Sequence, residues 1–512
     1  MQISVLEYLE RSAERLPQKA AFADESNTLS FARLLYCARA VGTVLIRQGA
    51  KTRTPIAVLT EKSALTVAGF LGAVYAGCFY VPLDVKHPSA RLETILQVLQ
   101  PDILLVDEEN RALAEALSFE GTIVFLEQAA QDTPDGVLLC AVREQATDLD
   151  PLYANFTSGS TGVPKGVVVG HRSVIDFIDQ FTAIFSITQA DVLGNQAPFD
   201  FDVSVKDIYS GLATGATVQL IPRAYFSQPV KLMDYLCERK PSTLIWAVSA
   251  LCFVTTMQGL AYKTPQSVRQ IIFSGEVMPI KHLNLWREFL PDARYVNVYG
   301  PTEITCNCFY YILDRAFSQG ETLPLGRPFP NEKILLLDEQ NRPVTEPGIL
   351  GEICVCGTAL ALGYYNDFER TQASFVQNPL NKAYPERMYR TGDLARYQED
   401  GSLVYASRKD FQIKHMGHRI ELGEIETVLQ TQAGVNRACC IYWPEKKRLL
   451  AFYDGVGEKS ALLTALQAVL PPFMQPNAMV HQDVLPMTKN GKIDRQKLLA
   501  DYQSTRERGR TR

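Results

Sequence analysis

Between Thr157 and Gly166 the chain reads TSGSTGVPKG: three glycines, four hydroxyl side chains, one proline and one lysine in ten residues, close behind the aromatic Tyr153 and Phe156. Successive backbone N–H groups in a Gly/Ser/Thr loop form an anion cradle. The hydroxyls of Thr157, Ser158, Ser160 and Thr161 add donors, and Lys165 adds a positive charge on a flexible stem. Such a loop suits a polyphosphate. It is not the GxxxxGK[ST] loop, because Pro164 precedes Lys165 and Gly166 follows it, so the nucleotide fold that accompanies that motif is not implied. A plain surface turn would explain the glycines but not the VVVG segment placed right behind the lysine.

The elements that must position this loop read as α/β. Short apolar runs at 54–60, 102–107, 122–127, 217–222, 242–248 and 270–275 alternate with stretches of helical period, the signature of βαβ units around buried sheets. After about residue 320 the strands become short and mixed, separated by Gly, Pro and Asn turns, which predicts a β-rich subdomain followed by a small mixed terminal domain. With 512 residues the chain is long for a single core. Its 51 basic and 56 acidic residues leave a net charge of −5, which gives no reason to expect nucleic acid or anionic lipid as a partner.

Eleven cysteines, none in CxxC spacing, read as reduced and mostly buried thiols of a cytoplasmic protein. The start, MQISVLEYLERSAERL, lacks the cationic and apolar blocks of a signal peptide and reads as an amphipathic helix. Ser63–Leu83 is 21 residues without a charge, long enough to cross a bilayer. Its three glycines and the β-rich CFYVPL favour a buried helix ending near Gly77 and then a buried strand, so no membrane insertion is expected. The basic end, STRERGRTR, reads as a disordered tail over 501–512.

Further blocks follow in order: AGCFYVPLD (76–84), FTSGSTGVPKGVVVGH (156–171), FDFDVSVKDIY (199–209), NVYGPTEIT (297–305), GEICVCG with LGYYN (351–366), YRTGDLARY (389–397), RKDFQIKHMGHRIELGEIE (408–426) and PMTKNGKIDR (486–495). Together they closely resemble the adenylate-forming family, which includes nonribosomal peptide synthetase adenylation domains, D-alanine carrier-protein ligases, acyl-CoA synthetases and luciferases. The resemblance implies an α/β N-terminal domain over 1–408, with two βαβ sheets and a β-barrel-like subdomain, and a small mobile α+β domain over 409–500. It also implies ATP and Mg²⁺.

By that resemblance, Thr157, Ser158, Gly159, Ser160, Thr161, Gly162 and Lys165 would hold the β,γ-phosphates, with Gly275, Glu276, Asn297 and Gly300 completing the nucleotide site. Tyr299 would stack on adenine, Thr302 would sit near the α-phosphate, and Glu303 would hold Mg²⁺, a cation usually bound by one or two carboxylates plus phosphates. Asp393 would accept from both ribose hydroxyls, with Arg408 beside the ribose; a turn residue after Gly392 is the plainer reading of Asp393. Lys492 would be the catalytic lysine, offsetting the repulsion between an attacking carboxylate and the α-phosphate, although an NG turn also invites a surface lysine. Asp410 would be the hinge of the small domain and Gly417 would line a pantetheine tunnel, where a fixed β-hairpin is the alternative.

The substrate pocket implied in the same way comprises Asp202, Val203, Lys206, Ala247, Ile272, Ser274, Val298, Cys306 and Asn307. Asp202 would pair with the α-ammonium of an amino acid, since a buried ammonium needs a partner. QAPFDFDVSVKDIY resembles the D-alanine carrier-protein ligases, but Ser274 stands where those tend to have Cys, which puts D-alanine in doubt. Lys206 would suit an acidic or carbonyl-bearing side chain if it points inward; four residues after Asp202, it could instead form a weak exposed pair with it. The sequence ends soon after NGKIDR and lacks LGGxS-like and HHxxxDG signatures. It therefore reads as a stand-alone amino acid ligase loading a discrete phosphopantetheinylated carrier protein in trans. Coenzyme A as acceptor, and a non-catalytic binding protein on the same fold, are the alternatives.

Overall fold

The computed structural model describes residues 2–159, 163–409, 412–487 and 493–510, with side chains to 506. The chain divides into two compact units. The first holds the residues up to Val85, Val98–Phe156 and Gly166–Lys409; the second holds Lys86–Gln97 and the described residues of 157–165 and from Gln412 onward.

Most apolar runs of the first unit become strands buried on both faces, the edge strand Thr122–Phe125 excepted. Pro55–Leu59, Phe79–Leu83, Ile103–Val106 and Thr243–Ala247 are buried at every position, as parallel strands covered by helices require. They build two large sheets. The seven-stranded sheet runs in the order Gly363–Tyr364, Lys165–Gly170, Pro151–Thr157, Phe79–Leu83, Pro55–Leu59, Ile103–Val106, Thr122–Phe125. The nine-stranded sheet has a parallel centre, Arg294–Tyr299, Gln270–Ser274, Thr243–Ala247, Val192–Asn195, Thr217–Leu220 and Ala20–Ala23, edged by antiparallel Phe309–Ile312, Arg327–Pro328 and Thr28–Ser30. The β-rich stretch after residue 320 forms a five-stranded antiparallel sheet centred on Gly351–Gly357 and Arg387–Tyr397.

The uncharged run divides as its composition predicts. Ser63 caps the helix Ala64–Tyr75, accepting from the Thr66 N–H, and every helix residue but Leu65 is buried. Gly72 lets this helix approach its neighbour Phe31–Arg47 closely: a Cβ there would sit 2.5 Å from Val41 Cγ1. Among the described residues no helix is long and apolar enough to cross a membrane. All eleven cysteines are free thiols, with only Cys140 exposed and Cys237 partly so.

The second unit pairs Gln412–His415 with His418–Glu421 around a turn at Met416 and Gly417, both at positive φ. A three-stranded sheet, Val435–Trp443, Arg448–Gly455 and Ala478–His481, packs with the helices Leu422–Gln430 and Lys459–Val469. The expected disordered tail is corrected here, because Arg495–Arg510 is one helix. Leu498, Leu499 and Tyr502 share a helix face, and the Tyr502 ring meets Trp443 and Phe452 edge-on at 6.1 and 6.0 Å. The basic composition concealed that face. Residues 511 and 512 lie outside the described residues.

His171 begins the helix His171–Phe185, and its Nδ1 accepts the Val5 N–H at 3.2 Å, which requires an unprotonated ring nitrogen. Burial pushes its pKa from 6.5 down to about 4, and a helix N-terminus also disfavours the cation. The unfolded chain therefore binds a proton that the folded chain refuses. This stabilisation is complete above pH 6.5 and is lost as pH falls toward 4, about 1.4 kcal/mol per unit through that window. His171→Asn keeps an acceptor and removes the titration, so urea midpoints between pH 7 and 4.5 should fall less steeply for the variant than for the wild type.

Candidate functional site

The parallel strands of the nine-stranded sheet end at Asn195, Ala247, Ser274 and Tyr299. The crevice outside such carboxyl ends is where open α/β sheets bind ligands. Ala247 and Ser274 stand side by side in register. Asn297 and Val298 lie on the last parallel strand, with Asn297 donating to Pro324 O at 2.9 Å. Gly300 follows, where the chain doubles back: a Cβ there would meet the Asn307 Cα at 2.5 Å. Thr302 and Glu303 form the short turn beyond it. Gly275 has φ +96 in the turn after Ser274, followed by Glu276.

Glu303 is 0% exposed and its Oε1 accepts from the Tyr364 hydroxyl at 2.8 Å. Asp393, 1% exposed, is held from two sides. Arg408 Nη1 reaches its Oδ1 at 2.6 Å, across paired strands in which the two residues are directly opposite. The Tyr299 hydroxyl donates to its Oδ2. Burial first, then the Asp393 charge, raises the Tyr299 phenol, which stays a donor at any working pH. Behind Asp393, buried Glu352 accepts from Arg390, Lys409 and the Gly392 N–H, fixing the RTGD turn. Burial alone would raise the Glu352 pKa, but hydrogen bonds and charge from Arg390 and Lys409 outweigh it and hold the carboxyl below its usual range.

Asp202 immediately precedes the helix Val203–Thr214 and its side chain does not cap it; its backbone oxygen accepts from Cys306 Sγ at 3.2 Å. Lys206, one turn along, is 1% exposed. Its Nζ donates to Asn307 Oδ1 at 3.0 Å and Ser274 Oγ at 3.3 Å. The exposed Asp202–Lys206 pair is therefore corrected: the helix buries this face, and Lys206 turns to two neutral oxygens. Val203, Ala247, Ile272, Val298 and Cys306 are buried too.

Asp207 faces another way. Its Oδ2 accepts from Asn195 Nδ2 at 2.8 Å, and Asn195 Oδ1 accepts from Lys62 at 3.1 Å. Burial pushes Asp207 up to about 7 and Lys62 down to about 7. Tyr80 and Tyr209 share a hydrogen bond of 3.0 Å. The Tyr153 hydroxyl is buried and, apart from a weak contact with the Cys306 sulfur, without a hydrogen-bond partner among the described residues.

In the glycine-rich segment, Thr157 ends a strand with its Oγ1 buried and without a hydrogen-bond partner among the described residues, and Lys165 opens the next strand. An orphaned buried hydroxyl of this kind fits a ligand oxygen. Within the second unit, Ser158 Oγ donates to Arg419 O at 2.8 Å and accepts the Glu421 N–H at 3.1 Å. Gly159 contributes a backbone hydrogen bond to Glu424, and Gly417 has φ +83. Ser160, Thr161, Gly162, Asp410 and Lys492 lie outside the described residues.

Residues 9–365 match the sequence model of the AMP-binding enzymes. The chain belongs to this AMP-binding enzyme family. Tyrocidine synthase 3 of Brevibacillus parabrevis is 34% identical over 505 residues, 97% of this chain; the chain spans 8% of that relative's length. The crystal structure of IdnL1 superposes with a TM-score of 0.81 at 27% identity, covering 94% of this chain and 99% of the other. The Vibrio cholerae adenylation domain AlmE, in complex with glycyl-adenosine-5′-phosphate, shares the fold at a TM-score of 0.85 and 23% identity, with 98% of each chain covered. Like these proteins, this AMP-binding enzyme combines large α/β sheets with a smaller α+β unit.

Motif reasoning missed Tyr364, Glu352, Tyr153 and the Lys62–Asn195–Asp207 network. Glu352 and Tyr364 lay inside recognised blocks, in GEICVCG and LGYYN, so their polar types amid apolar neighbours were the available signal. The Asp393–Arg408 pair is testable by stability. Arg408→Met leaves a buried carboxylate without its cation and should cost about 3–5 kcal/mol in urea unfolding. Adding Asp393→Asn should recover part of that loss, giving a double-mutant coupling of at least about 1 kcal/mol.

Proposed function

We propose that this AMP-binding enzyme activates an amino acid with ATP. The α-carboxylate forms a bond to the α-phosphorus, the bond from phosphorus to the bridging oxygen breaks, and pyrophosphate leaves an aminoacyl-AMP. The observation that carries the amino-acid reading is Asp202: a buried carboxylate at a helix start, uncommitted to capping and beside the carboxyl ends of the parallel strands. A plain carboxylic acid gives such a group nothing to bind, whereas an α-ammonium does. The likeness to a peptide synthase supports the same reading.

In this reading Asp393 and Arg408 hold the ribose, Tyr299 lies against adenine, and Thr302 adds a hydroxyl near the α-phosphate. Gly275, Glu276, Asn297 and Gly300 frame the nucleotide. Thr157, Ser158, Gly159, Ser160, Thr161, Gly162 and Lys165 take the β,γ-phosphates. Glu303 holds Mg²⁺, which when bound neutralises charge on the phosphates. Lys492 places its ammonium between carboxylate and α-phosphate. Asp410 is the hinge through which the segment after it withdraws Lys492 once the adenylate forms, leaving Gly417 to line the path of a pantetheine arm. The thiol acceptor is a separate carrier protein.

Pyrophosphate exchange tests the first half-reaction. Amino acids should support it, and Asp202→Ala should lower kcat/KM by about 100-fold or more, the expected cost of an unpaired buried ammonium. Exchange with simple carboxylic acids and none with amino acids would replace this reading by an acyl ligase. Lys492→Ala should reduce adenylate formation strongly while sparing transfer from supplied aminoacyl-AMP. For the acceptor, thioester should form on a pantetheinylated carrier; formation on coenzyme A alone would decide for the alternative.

A further inference from the structure

We propose that the substrate is an α-amino acid with a second carboxylate in its side chain, and that Lys206 receives that carboxylate as an ammonium. This inference rests on the amino-acid reading of Asp202 given above.

The argument is one of charge. Lys206 is fully enclosed, and the acceptors within hydrogen-bond reach, Ser274 Oγ and Asn307 Oδ1, are neutral. An ammonium has three N–H donors, so the third is unfilled by these two. Burying such a cation without an anion costs several kcal/mol. Of the groups whose field reaches Lys206, Cys306, Asp202 and Asp207, the Cys306 thiol is held protonated by burial and supplies no charge. Asp207 is engaged with Asn195, and burial raises its pKa to about 7. Burial lowers the Lys206 pKa, and with the thiol neutral the Asp202 charge is what chiefly opposes that.

Substrate binding upsets that balance. Once Asp202 pairs with an α-ammonium, the Lys206 charge stands alone. A neutral side chain can be accepted only if Lys206 gives up its proton. A side-chain carboxylate restores neutrality and fills the third donor direction.

A second observation points the same way. The Tyr153 hydroxyl is 0% exposed and, apart from a weak contact with the Cys306 sulfur, has no hydrogen-bond partner among the described residues. Burial, then neighbouring Cys306 and Asp202, keep the phenol protonated. A thiol sulfur is a weak acceptor, so a buried phenol beside one gains when a ligand supplies an oxygen. Tyr153 and Lys206 share Cys306 and Asp202 as neighbours, so an acidic side chain that gives one oxygen to Lys206 has a second to offer the phenol.

The test is pyrophosphate exchange with glutamate, aspartate, glutamine, asparagine, alanine and the non-amino acid glutarate, on the full chain. For the wild type, kcat/KM for the better acidic amino acid should exceed that for its amide by about 100-fold or more, the discrimination a site built around a buried polar partner attains. Lys206→Met should lose about 100-fold on the acid while changing the amide less than about tenfold, which largely abolishes the preference. Tyr153→Phe should lose about tenfold on the acid alone. Preference for neutral amino acids in the wild type, or an acid preference that survives Lys206→Met, would overturn the inference and leave amino acid activation intact. Exchange with glutarate and with no amino acid would overturn both. The wild-type panel decides even if Lys206→Met fails to fold, and thermal melting of each variant separates the two kinds of loss.

Discussion

A buried carboxylate has to be met by donors, and the first unit meets that need with groups drawn from different sheets. Asp393 stands in the five-stranded sheet with Arg408, while its other partner, the Tyr299 hydroxyl, comes from the last parallel strand of the nine-stranded sheet. Glu303, just beyond that strand, is met by Tyr364 from the edge of the seven-stranded sheet. Lys62, after a strand of the seven-stranded sheet, reaches Asn195 at the end of a strand in the nine-stranded one. Three sheets are thereby tied at strand ends by polar bonds in a poorly hydrated interior, where each bond is electrostatically stronger than in water.

This arrangement bears on ligand binding. A carboxylate offers about four lone-pair sites, so Asp393 retains acceptor capacity after Tyr299 and Arg408 have taken one oxygen each. A diol can share the group without dismantling the clasp. The rigidity comes from behind: Glu352 holds Arg390, Lys409 and the Gly392 N–H, so the turn that presents Asp393 is fixed by the protein's own bonds. Positioning without reorganisation is what a site for charge development requires.

Much of this was legible in the residue order. Each apolar run picked out by composition between 54 and 275 became a strand within two residues at either end, because strands buried on both faces leave continuous hydrophobic signals. The loop at 157–166, the YGPTE turn and the RTGD turn stood out because each gathers glycine and hydroxyl residues in a tight group, the composition of a turn. Tyr153, Tyr364 and Glu352 did not stand out, since their roles depend on partners far along the chain and no local pattern encodes such a meeting. The terminal helix was missed for another reason: its basic residues dominate the composition, while the three residues that pack, Leu498, Leu499 and Tyr502, form too short a stripe to announce a period.

Lys206 and Asp207 show how a helix can keep two opposite charges from cancelling. Adjacent helical residues point about 100° apart, so the ammonium goes to Asn307 and Ser274 while the carboxylate goes to Asn195. Each charge is met by an amide, which satisfies hydrogen bonding without neutralising it. Had the two been spaced three or four apart, they would lie on one face within reach of each other. The spacing of one sends the two groups to different amides, with Lys62 beyond Asn195 on the Asp207 side and the Asp202 charge acting on Lys206.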